Sequence, residues 1–325
     1  MRRFWDSMIE PLLEVVGPQA IVEIGSAEGK NTRNLLGFCG RRDATLHVVD
    51  PAPQYDVPAW RREYGERLVF HEGLSLDVLP TIDRFDVVLI DGDHNWYTVF
   101  NELRLIERLS DERSQDFPLV VLHDVGWPYG RRDHYYAPER IPADQRHPYK
   151  RKGVQPGTKE LVDEGGLHRN TLNATLEGAP RSGVLTAVED FLVQTPKEIR
   201  LVVVAGLHGL GILVPPDLAD ANPAVRSFID GLEPSPAIAS HLERVELARL
   251  EALAGRQDAA WRLRRLHARQ REQIEDLRVR LKQERKVKEQ LTERLARAEE
   301  ELRETRERGA LGRLLSSFGR GPRAD

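Results

Sequence analysis

The feature that most constrains the fold of this chain is the alternation of short apolar runs with helical patterns over its first 215 residues. Most of these runs are nearly continuous in Val, Ile and Leu, which is typical of parallel strands buried on both faces. The alternation predicts an α/β fold with a doubly wound, mostly parallel seven-stranded sheet. The predicted strands cover residues 20–24, 46–50, 68–71, 85–91, 119–123, 201–205 and 211–214, and the clearest helices cover residues 30–38, 97–109 and 183–194.

The last two predicted strands are joined by only five residues, 206–210. A connection this short suits a hairpin and cannot carry a parallel crossover. The final strand is therefore predicted to run antiparallel to its neighbours.

Composition excludes several classes of protein. The longest apolar stretch, residues 201–216, is broken by glycines and is too short for a transmembrane helix, and the first 16 residues lack a secretory apolar core. The only cysteine, Cys39, excludes an intramolecular disulfide and a multi-cysteine metal site, which fits a reducing, cytoplasmic setting. Residues 1–240 hold 26 Lys and Arg against 36 Asp and Glu, so the body is acidic and a nucleic-acid partner is not expected.

A long segment, residues 128–182, interrupts the alternation without clear periodicity. Loops of this length are usually functional or disordered. Because the segment carries four tyrosines and three histidines, we interpret it as a substrate-covering insertion; a simple insertion without function is the alternative.

The composition changes after Pro236, and residues 237–308 contain no proline and a single glycine. Apolar residues repeat there at the a and d positions of a heptad, with charged interruptions at Glu284 and Lys288. This pattern predicts a C-terminal α-helical coiled coil that joins copies of the chain or binds a partner protein; a solitary charged helix is the alternative. The domain prediction is thus a catalytic domain over 1–236, a coiled coil over 237–308 and a flexible tail over 309–325.

A glycine-containing turn follows the first predicted strand. The segment from Glu23 to Gly29 fits E-x-G-x-x-x-G and departs from the G-x-G-x-x-G pattern of dinucleotide sites. The Glu23 carboxylate would repel a pyrophosphate and suit a cationic ligand. Asp50, at the end of the second strand, can accept hydrogen bonds from ribose hydroxyls.

In these two motifs the chain resembles the class I S-adenosylmethionine-dependent methyltransferases. The resemblance implies a Rossmann-like methyltransferase fold, with Glu23 near the amino acid moiety of the cofactor and Asp50 on its ribose. It also implies that the region after the third strand packs near the adenine. The implied cofactor-binding residues are Glu23, Gly25, Ser26, Ala27, Gly29, Asp50, Ser75 and Asp91.

Two further strand ends carry carboxylates and histidines: Asp91-Gly92-Asp93-His94 and His123-Asp124. Ligands of open parallel sheets bind beyond the carboxyl ends of the strands, so these side chains are expected to converge there. Oxygen ligands suit Mg²⁺ or Mn²⁺, and a histidine ligand also admits Fe²⁺ or Zn²⁺. In the alternative, Asp91 and Asp93 cap the next helix and His123 is a buried histidine with satisfied hydrogen bonds.

This second pair of motifs is similar to the metal-dependent sugar and antibiotic O-methyltransferases of the macrocin O-methyltransferase-like group. The resemblance implies that Asp91 and Asp124 hold a divalent cation that lowers the pKa of an acceptor hydroxyl. We interpret His94 as the general base, with His123 as the second candidate or as a metal ligand. The family usually carries further acids beside the second acid, and His123 departs from that pattern.

The acceptor is expected to contact the segment that follows Asp124. Tyrosines stack on sugar or aromatic faces, and arginines hold phosphates or carboxylates. The chain is therefore predicted to be an S-adenosylmethionine-dependent O-methyltransferase acting on a sugar, a glycan or another polyhydroxylated metabolite. The alternatives are a catalytically degenerate scaffold that works through its coiled coil and a metal-dependent hydroxylase of the same fold. The candidate acceptor-binding residues are Tyr129, Arg131, Arg132, Tyr135 and Tyr136.

Overall fold

The secondary structure follows the predicted alternation. The computed structural model describes the backbone of residues 1–318 and the side chains of residues 1–309. The strands are β1 (Ala20–Ile24), β2 (Thr45–Val49), β3 (Leu68–His71), β4 (Val87–Ile90), β5 (Leu119–His123), β6 (His134–Tyr135), β7 (Tyr149–Lys150), β8 (Leu172–Ala174), β9 (Arg200–Val204) and β10 (Leu210–Val214). The α-helices are α1 (Glu10–Val16), α2 (Lys30–Arg42), α3 (Val57–Tyr64), α4 (Ser75–Val78), α5 (Trp96–Glu112), α6 (Val184–Gln194), α7 (Pro216–Ala221), α8 (Pro223–Leu232) and α9 (Pro236–Phe318).

Seven strands form one sheet in the order β3-β2-β1-β4-β5-β10-β9. Strands β1 to β5 are parallel, while β10 pairs antiparallel with both β5 and β9. Both predictions, the mostly parallel seven-stranded sheet and the antiparallel final strand, are confirmed. The chain has the Rossmann-like methyltransferase fold.

Two apolar cores cover the two faces of this sheet, because successive side chains of a strand point to opposite faces. Ile21 and Val87 belong to the core that also contains residues of α1, α2 and α8. Val22 and Val88 belong to the core that contains residues of α5 and α6. The continuous apolar runs in the sequence thus reflect burial of both faces.

The long insertion is folded. Its strands form a small antiparallel sheet in the order β6-β8-β7. Asp133 ties this sheet to the main domain, since its carboxylate accepts hydrogen bonds from Trp96 N (2.8 Å), Gly183 N (2.7 Å) and the Tyr135 hydroxyl (2.8 Å). The insertion therefore has defined contacts with the start of α5 and the start of α6.

The chain divides into two compact units, and the first runs from Met1 to Asp258. Within it, Leu250 and Ala254 of α9 pack on Val154 and Leu167 of the insertion. The compact unit therefore extends past the predicted domain end at residue 236, because the first turns of α9 bury apolar side chains against it.

The second unit begins at Ala259, and α9 continues in it as far as Phe318. The helix thus extends past the predicted boundary at 308, and residues 319–325 of the predicted tail lie outside the described residues. Within residues 1–318, none of the helices combines the length and the apolar character needed to cross a bilayer.

Candidate active site

The turn after β1 packs directly on the segment that follows β4. Gly25 has a φ of +85°, and a Cβ atom on it would lie 2.5 Å from Asp91 O and from Gly92 Cα. Only glycine allows both this backbone conformation and this close approach. A Cβ atom on Gly29, whose φ is +71°, would collide with the ring of Trp60. The two predicted glycines therefore shape a turn that lies against Asp91.

Asp50 fixes this turn from the end of β2. Its Oδ2 atom accepts hydrogen bonds from Ser26 N (2.8 Å), Ser26 Oγ (2.7 Å) and Ala27 N (3.0 Å). Its Oδ1 atom accepts one hydrogen bond, from Ala52 N (2.8 Å). Since a carboxylate oxygen has two lone pairs, Oδ1 keeps acceptor capacity for a ligand hydroxyl.

Glu23 lies on β1 beside the same turn and is 2% exposed. Asn31 Nδ2 (2.8 Å) and Thr32 Oγ1 (2.6 Å) donate hydrogen bonds to its carboxylate. Burial raises the pKa of Glu23 from 4.5 to about 7, although these hydrogen bonds lower it. A cationic ligand would favour the charged form of this carboxyl.

Ser75 begins α4 after β3, and its hydroxyl donates a 2.5 Å hydrogen bond to Glu102 Oε1 in α5. Glu102 is fully buried, and its Oε2 atom has no hydrogen-bond partner. Burial, with the nearby Asp93 as a smaller cause, raises the pKa of Glu102 to about 8, although the hydrogen bond from Ser75 lowers it. A carboxyl that is neutral at pH 7 thus lies behind the residue predicted near the adenine.

Two carboxylates and two histidines converge at the carboxyl ends of β4 and β5. The Asp124 Oδ2 atom lies 2.8 Å from both His94 Nε2 and His123 Nδ1. The Asp91 Oδ1 atom lies 3.2 Å from His123 Nδ1 and 3.6 Å from His94 Nε2. The amino group of Met1 lies 2.9 Å from Asp91 Oδ2. The predicted convergence of these side chains is therefore present in the fold.

Mutual electrostatics set the charges of this group. Burial lowers the pKa of His94, but the charge of Asp124 and the side-chain contacts with Asp124 and Asp91 together outweigh burial and hold that pKa well above its usual value. The same balance raises the pKa of His123 to about 9. Burial raises the pKa of Asp124, and the two histidines reverse the shift and hold it well below its usual range. The carboxylates are therefore charged at neutral pH and paired with the two imidazolium rings, so a divalent cation would bind in competition with those protons.

Three side chains bring potential metal-ligand atoms close together: Asp91, His123 and Asp124. One such atom from each residue lies within 4.8 Å of the other two. This is the set of metal ligands that the sequence predicts. Two carboxylates with one imidazole form a donor set that suits Mn²⁺, Fe²⁺ or Zn²⁺ and, through the oxygens, Mg²⁺. The side chains present thus fit a divalent cation.

Three further histidines, which sequence reasoning did not single out, surround the same carboxylates. His134 lies 5.9 Å from His94, and His208 lies 6.4 Å from His123, between ring centroids. His168 lies 6.3 Å from His208. We call these five residues the imidazole cluster: His94, His123, His134, His168 and His208.

The outer histidines of the cluster are neutral. Burial lowers the pKa of His134 to about 3 and that of His168 to about 4. The Nδ1 atom of His134 is buried without a hydrogen-bond partner. Tyr129 packs between these two rings, at 4.9 Å from His134 and 5.2 Å from His168. Tyr136 lies 4.5 Å from His134 and is 64% exposed. The cluster therefore has a neutral aromatic wall beside its charged centre.

Backbone strain coincides with this site. Asp124, His168 and His208 have φ values of +60°, +53° and +75°, in the left-handed region that non-glycine residues rarely occupy. Strain of this kind is retained where the surrounding structure fixes it, and it is common at functional sites. Positive φ is a signal that the sequence alone did not offer.

Three of the predicted acceptor residues point elsewhere. Arg131 forms a two-pronged ion pair with Glu189 of α6, with N–O distances of 2.5 and 2.7 Å. Arg132 is fully buried and donates hydrogen bonds to Ala174 O (2.6 Å) and Lys159 O (2.7 Å). These arginines stabilise the insertion and do not reach the carboxylate centre. Tyr135 also serves the insertion, because its hydroxyl donates to Asp133.

The capping alternative for Asp91 and Asp93 is wrong, because Asn95 is the N-cap of α5 and accepts a hydrogen bond from Thr98 N (2.8 Å). The alternative also describes His123 as a buried histidine with satisfied hydrogen bonds, and both of its ring nitrogens do have partners. Its Nδ1 atom faces Asp124, and its Nε2 atom lies 3.2 Å from Leu207 O.

Comparison with known proteins gives one family match. Residues 22–125 match the model of a family described as a methyltransferase domain. The matched range runs from β1 to the residue after Asp124 and so includes the glycine turn and both carboxylate motifs. None of the curated proteins compared with the chain matches it.

The solved structures that resemble the chain include three methyltransferases. A methyltransferase from Podospora anserina, PaMTH1, solved with S-adenosylhomocysteine, is 15% identical over 64% of this chain and 77% of its own, with a TM-score of 0.40. The O-methyltransferase TomG from Streptomyces achromogenes, solved with S-adenosylmethionine, is 16% identical over 63% and 76%, with a TM-score of 0.35. An O-methyltransferase from Bacillus cereus, solved with S-adenosylhomocysteine, is 14% identical over 66% and 80%, with a TM-score of 0.36.

At these identities and TM-scores, the likeness carries no weight for the substrate or mechanism of this chain. The family match and the strand order are the findings that bear on its class. Residues 22–125 therefore match a methyltransferase domain, and they lie in a sheet with the strand order of the Rossmann-like methyltransferase fold.

Proposed function

We propose that the chain is an O-methyltransferase that uses a divalent cation and methylates a hydroxyl of an uncharged, polyhydroxylated acceptor such as a sugar or glycan. The observation that carries the proposal is the convergence of Asp91, Asp124, His94 and His123 directly beside the Gly25 turn. Charged carboxylates next to a cofactor turn provide a place where an acceptor hydroxyl can be bound and deprotonated.

The reaction is a displacement in which the acceptor oxygen attacks the methyl carbon and the sulfonium leaves as S-adenosylhomocysteine. The hydroxyl proton goes to a base, and we assign this role to His94, whose buried Nδ1 atom has no hydrogen-bond partner and whose Nε2 atom lies 2.8 Å from Asp124 Oδ2. Because Asp124 favours the protonated ring, His94 can act as the base only after it has lost that proton. A divalent cation held by Asp91, Asp124 and His123 would supply positive charge that lowers the pKa of the hydroxyl and of the His94 imidazolium.

The wall of the imidazole cluster supports an uncharged acceptor. Tyr136 is exposed and presents an aromatic ring, which can stack on the apolar face of a sugar, whereas Tyr129 is buried between His134 and His168. His134 and His168 are neutral and can exchange hydrogen bonds with hydroxyls. The arginines that would have favoured a phosphate or carboxylate on the acceptor are engaged elsewhere: Arg131 pairs with Glu189 of α6, and Arg132 donates to Ala174 O.

The test measures cofactor and metal binding separately, because the acceptor is unidentified. Calorimetry with S-adenosylhomocysteine and the electron paramagnetic resonance signal of Mn²⁺ are recorded for the wild-type chain. Asp124→Asn should abolish Mn²⁺ binding and leave S-adenosylhomocysteine binding within about threefold of wild type, because Asp124 belongs to the metal set and not to the turn.

Asp116→Asn is the matched control, because Asp116 is exposed just before β5 and should leave both binding curves unchanged. Absence of S-adenosylhomocysteine binding at millimolar concentration in the wild-type chain would contradict the proposed cofactor. Equal Mn²⁺ affinity in wild type and Asp124→Asn would contradict the proposed metal site.

A further inference from the structure

The second unit of the chain carries an apolar stripe with no cover among the described residues. Over residues 274–302, seven of the nine a and d positions of the heptad are apolar. Six of these seven side chains are large and at least half exposed: Ile274, Leu277, Leu281, Leu291, Leu295 and Leu302. A stripe at heptad spacing is the seam by which two helices pack as a coiled coil.

The two polar positions of the seam decide between the possible pairings. Glu284 occupies a d position and Lys288 the following a position. In a parallel, in-register pair, a faces a and d faces d, so Glu284 would oppose Glu284 and Lys288 would oppose Lys288. Like charges within a partly desolvated seam repel more strongly than the same charges on the surface.

In an antiparallel pair, a positions face d positions. When the twofold axis passes beside residue 286, Glu284 of each chain opposes Lys288 of the other chain. The same register places Leu281 opposite Leu291 and Leu277 opposite Leu295. The antiparallel register therefore converts both interruptions of the seam into ion pairs while it keeps the neighbouring apolar layers.

The charges that flank the seam weigh less, because they are exposed to solvent. In this register Arg280 lies near Arg294 of the second copy and Arg285 lies near Arg285, and both contacts are unfavourable. Arg280 is already paired within its own helix, with its Nη2 atom 2.9 Å from Asp276 Oδ2. Arg271 lies near Glu299 of the second copy, which is favourable. The seam charges therefore decide the orientation.

We propose that two copies of the chain associate through residues 274–302 as an antiparallel coiled coil, with reciprocal ion pairs between Glu284 and Lys288. Polar residues at single seam positions are known to specify register and partner number at some cost in stability.

Disulfide formation in the full-length chain tests the orientation, because the one native cysteine, Cys39, is fully buried. Leu281→Cys and Leu291→Cys are prepared separately, one with a mass tag, and oxidised alone and mixed. The mixture should form a disulfide-linked heterodimer. Neither variant should cross-link alone, because ten helical residues, about 15 Å, separate each cysteine from its copy in this register.

Light scattering of the wild-type chain should give twice the chain mass. A monomeric mass would overturn the dimer, cross-linking of Leu281→Cys alone would overturn the antiparallel orientation, and a dimer that forms no disulfide in the mixture would overturn the register. Circular dichroism verifies that each variant keeps the helix.

Charge exchange gives an independent readout. Glu284→Lys should raise the dimer dissociation constant about tenfold or more. The double variant Glu284→Lys with Lys288→Glu should restore it, because the reciprocal pairs re-form with exchanged signs. A parallel pair would keep like charges opposed in all these variants, so an unchanged constant in the single variant or a lack of rescue in the double variant would contradict the proposal.

Discussion

At the scale of single residues, Gly25 joins the cofactor turn to the carboxylate centre, because its missing side chain lets the turn touch the backbone of Asp91 and Gly92. Gly25→Ala places a methyl group 2.5 Å from Asp91 O in a residue whose φ is +85°. We expect this variant to lose S-adenosylhomocysteine binding in calorimetry and to unfold at a lower temperature.

The control for this variant is Gly231→Ala in α8, where a Cβ atom meets open space. Alanine should be neutral there or stabilise the helix by about 0.5–1 kcal/mol. If both alanine variants bind S-adenosylhomocysteine like the wild type, the turn does not hold the cofactor.

The buried carboxyl of Glu102 makes the stability of the folded chain depend on pH. Its pKa is about 8 in the folded chain, because of burial, and near 4.5 when unfolded. Between these values the folded state holds a proton that the unfolded chain releases, so stability falls as pH rises from 4.5 through 8. Glu102→Gln keeps the side chain neutral at every pH. The melting temperature of this variant, relative to that of the wild type, should therefore increase from pH 4.5 to pH 8 and stay constant above pH 8.

One pKa unit corresponds to about 1.4 kcal/mol, so the gain is on the order of a few kcal/mol at most. Differential scanning fluorimetry from pH 5 to 9 measures it. Glu112→Gln, at the exposed end of α5, is the matched control and should follow the wild type at every pH. Parallel curves for Glu102→Gln and wild type would mean that Glu102 is ionised in the folded chain.

At the scale of elements, the strands and the turn were predictable because their signals are local. A fully buried strand reads as an apolar run, and the turn after β1 contains glycines at fixed spacing. The two carboxylate motifs were predictable for a related reason: parallel strands of one sheet bring their carboxyl ends to the same edge.

The insertion was not predictable in the same way. Its strands β6 and β7 have two residues each and β8 has three, too few for any periodicity to show. Arg132 illustrates the result: an arginine beside tyrosines predicts a substrate contact, yet its partners are the backbone oxygens of residues 159 and 174, which are distant in sequence. His134, His168 and His208 were missed for the same reason.

The first turns of α9 belong to the catalytic unit, which gives a prediction about truncation. Glu246 accepts a hydrogen bond from His208 N (3.1 Å), and Leu250 packs on the insertion. A chain shortened after residue 258 should keep the melting temperature and S-adenosylhomocysteine affinity of the wild-type catalytic unit. A chain shortened after residue 236 should melt at a lower temperature, because Val154 and Leu167 become exposed.

Thermal melts followed by circular dichroism compare the two truncations at the same concentration. Equal stability of both forms would mean that the contacts of Glu246 and Leu250 contribute nothing to the catalytic unit, and that the predicted domain end at 236 describes the folding unit correctly.

At the scale of the whole molecule, the chain combines an acidic catalytic unit with a long charged helix that lies outside this unit. The acidic excess of residues 1–240 falls largely on the unit that contains the carboxylate centre, whereas the charges of the second unit flank an apolar seam. The high overall proportion of charged residues therefore has two separate sources, the first compact unit and the helix of the second. Neither source requires a polyanionic partner.

The imidazole cluster also has a consequence for the order of events during synthesis. Its members come from the ends of β4 and β5, from the insertion and from the hairpin between β9 and β10, over residues 94–208. Contacts between distant segments form late, because closing a long loop lowers the entropy of the chain before the contacts between its ends can stabilise it. A chain still emerging from the ribosome can form the glycine turn early, but it holds only part of the cluster until residue 208 has been made. On the proposed function, the glycine turn can thus form before the acceptor wall, which is complete only with the last strands of the sheet.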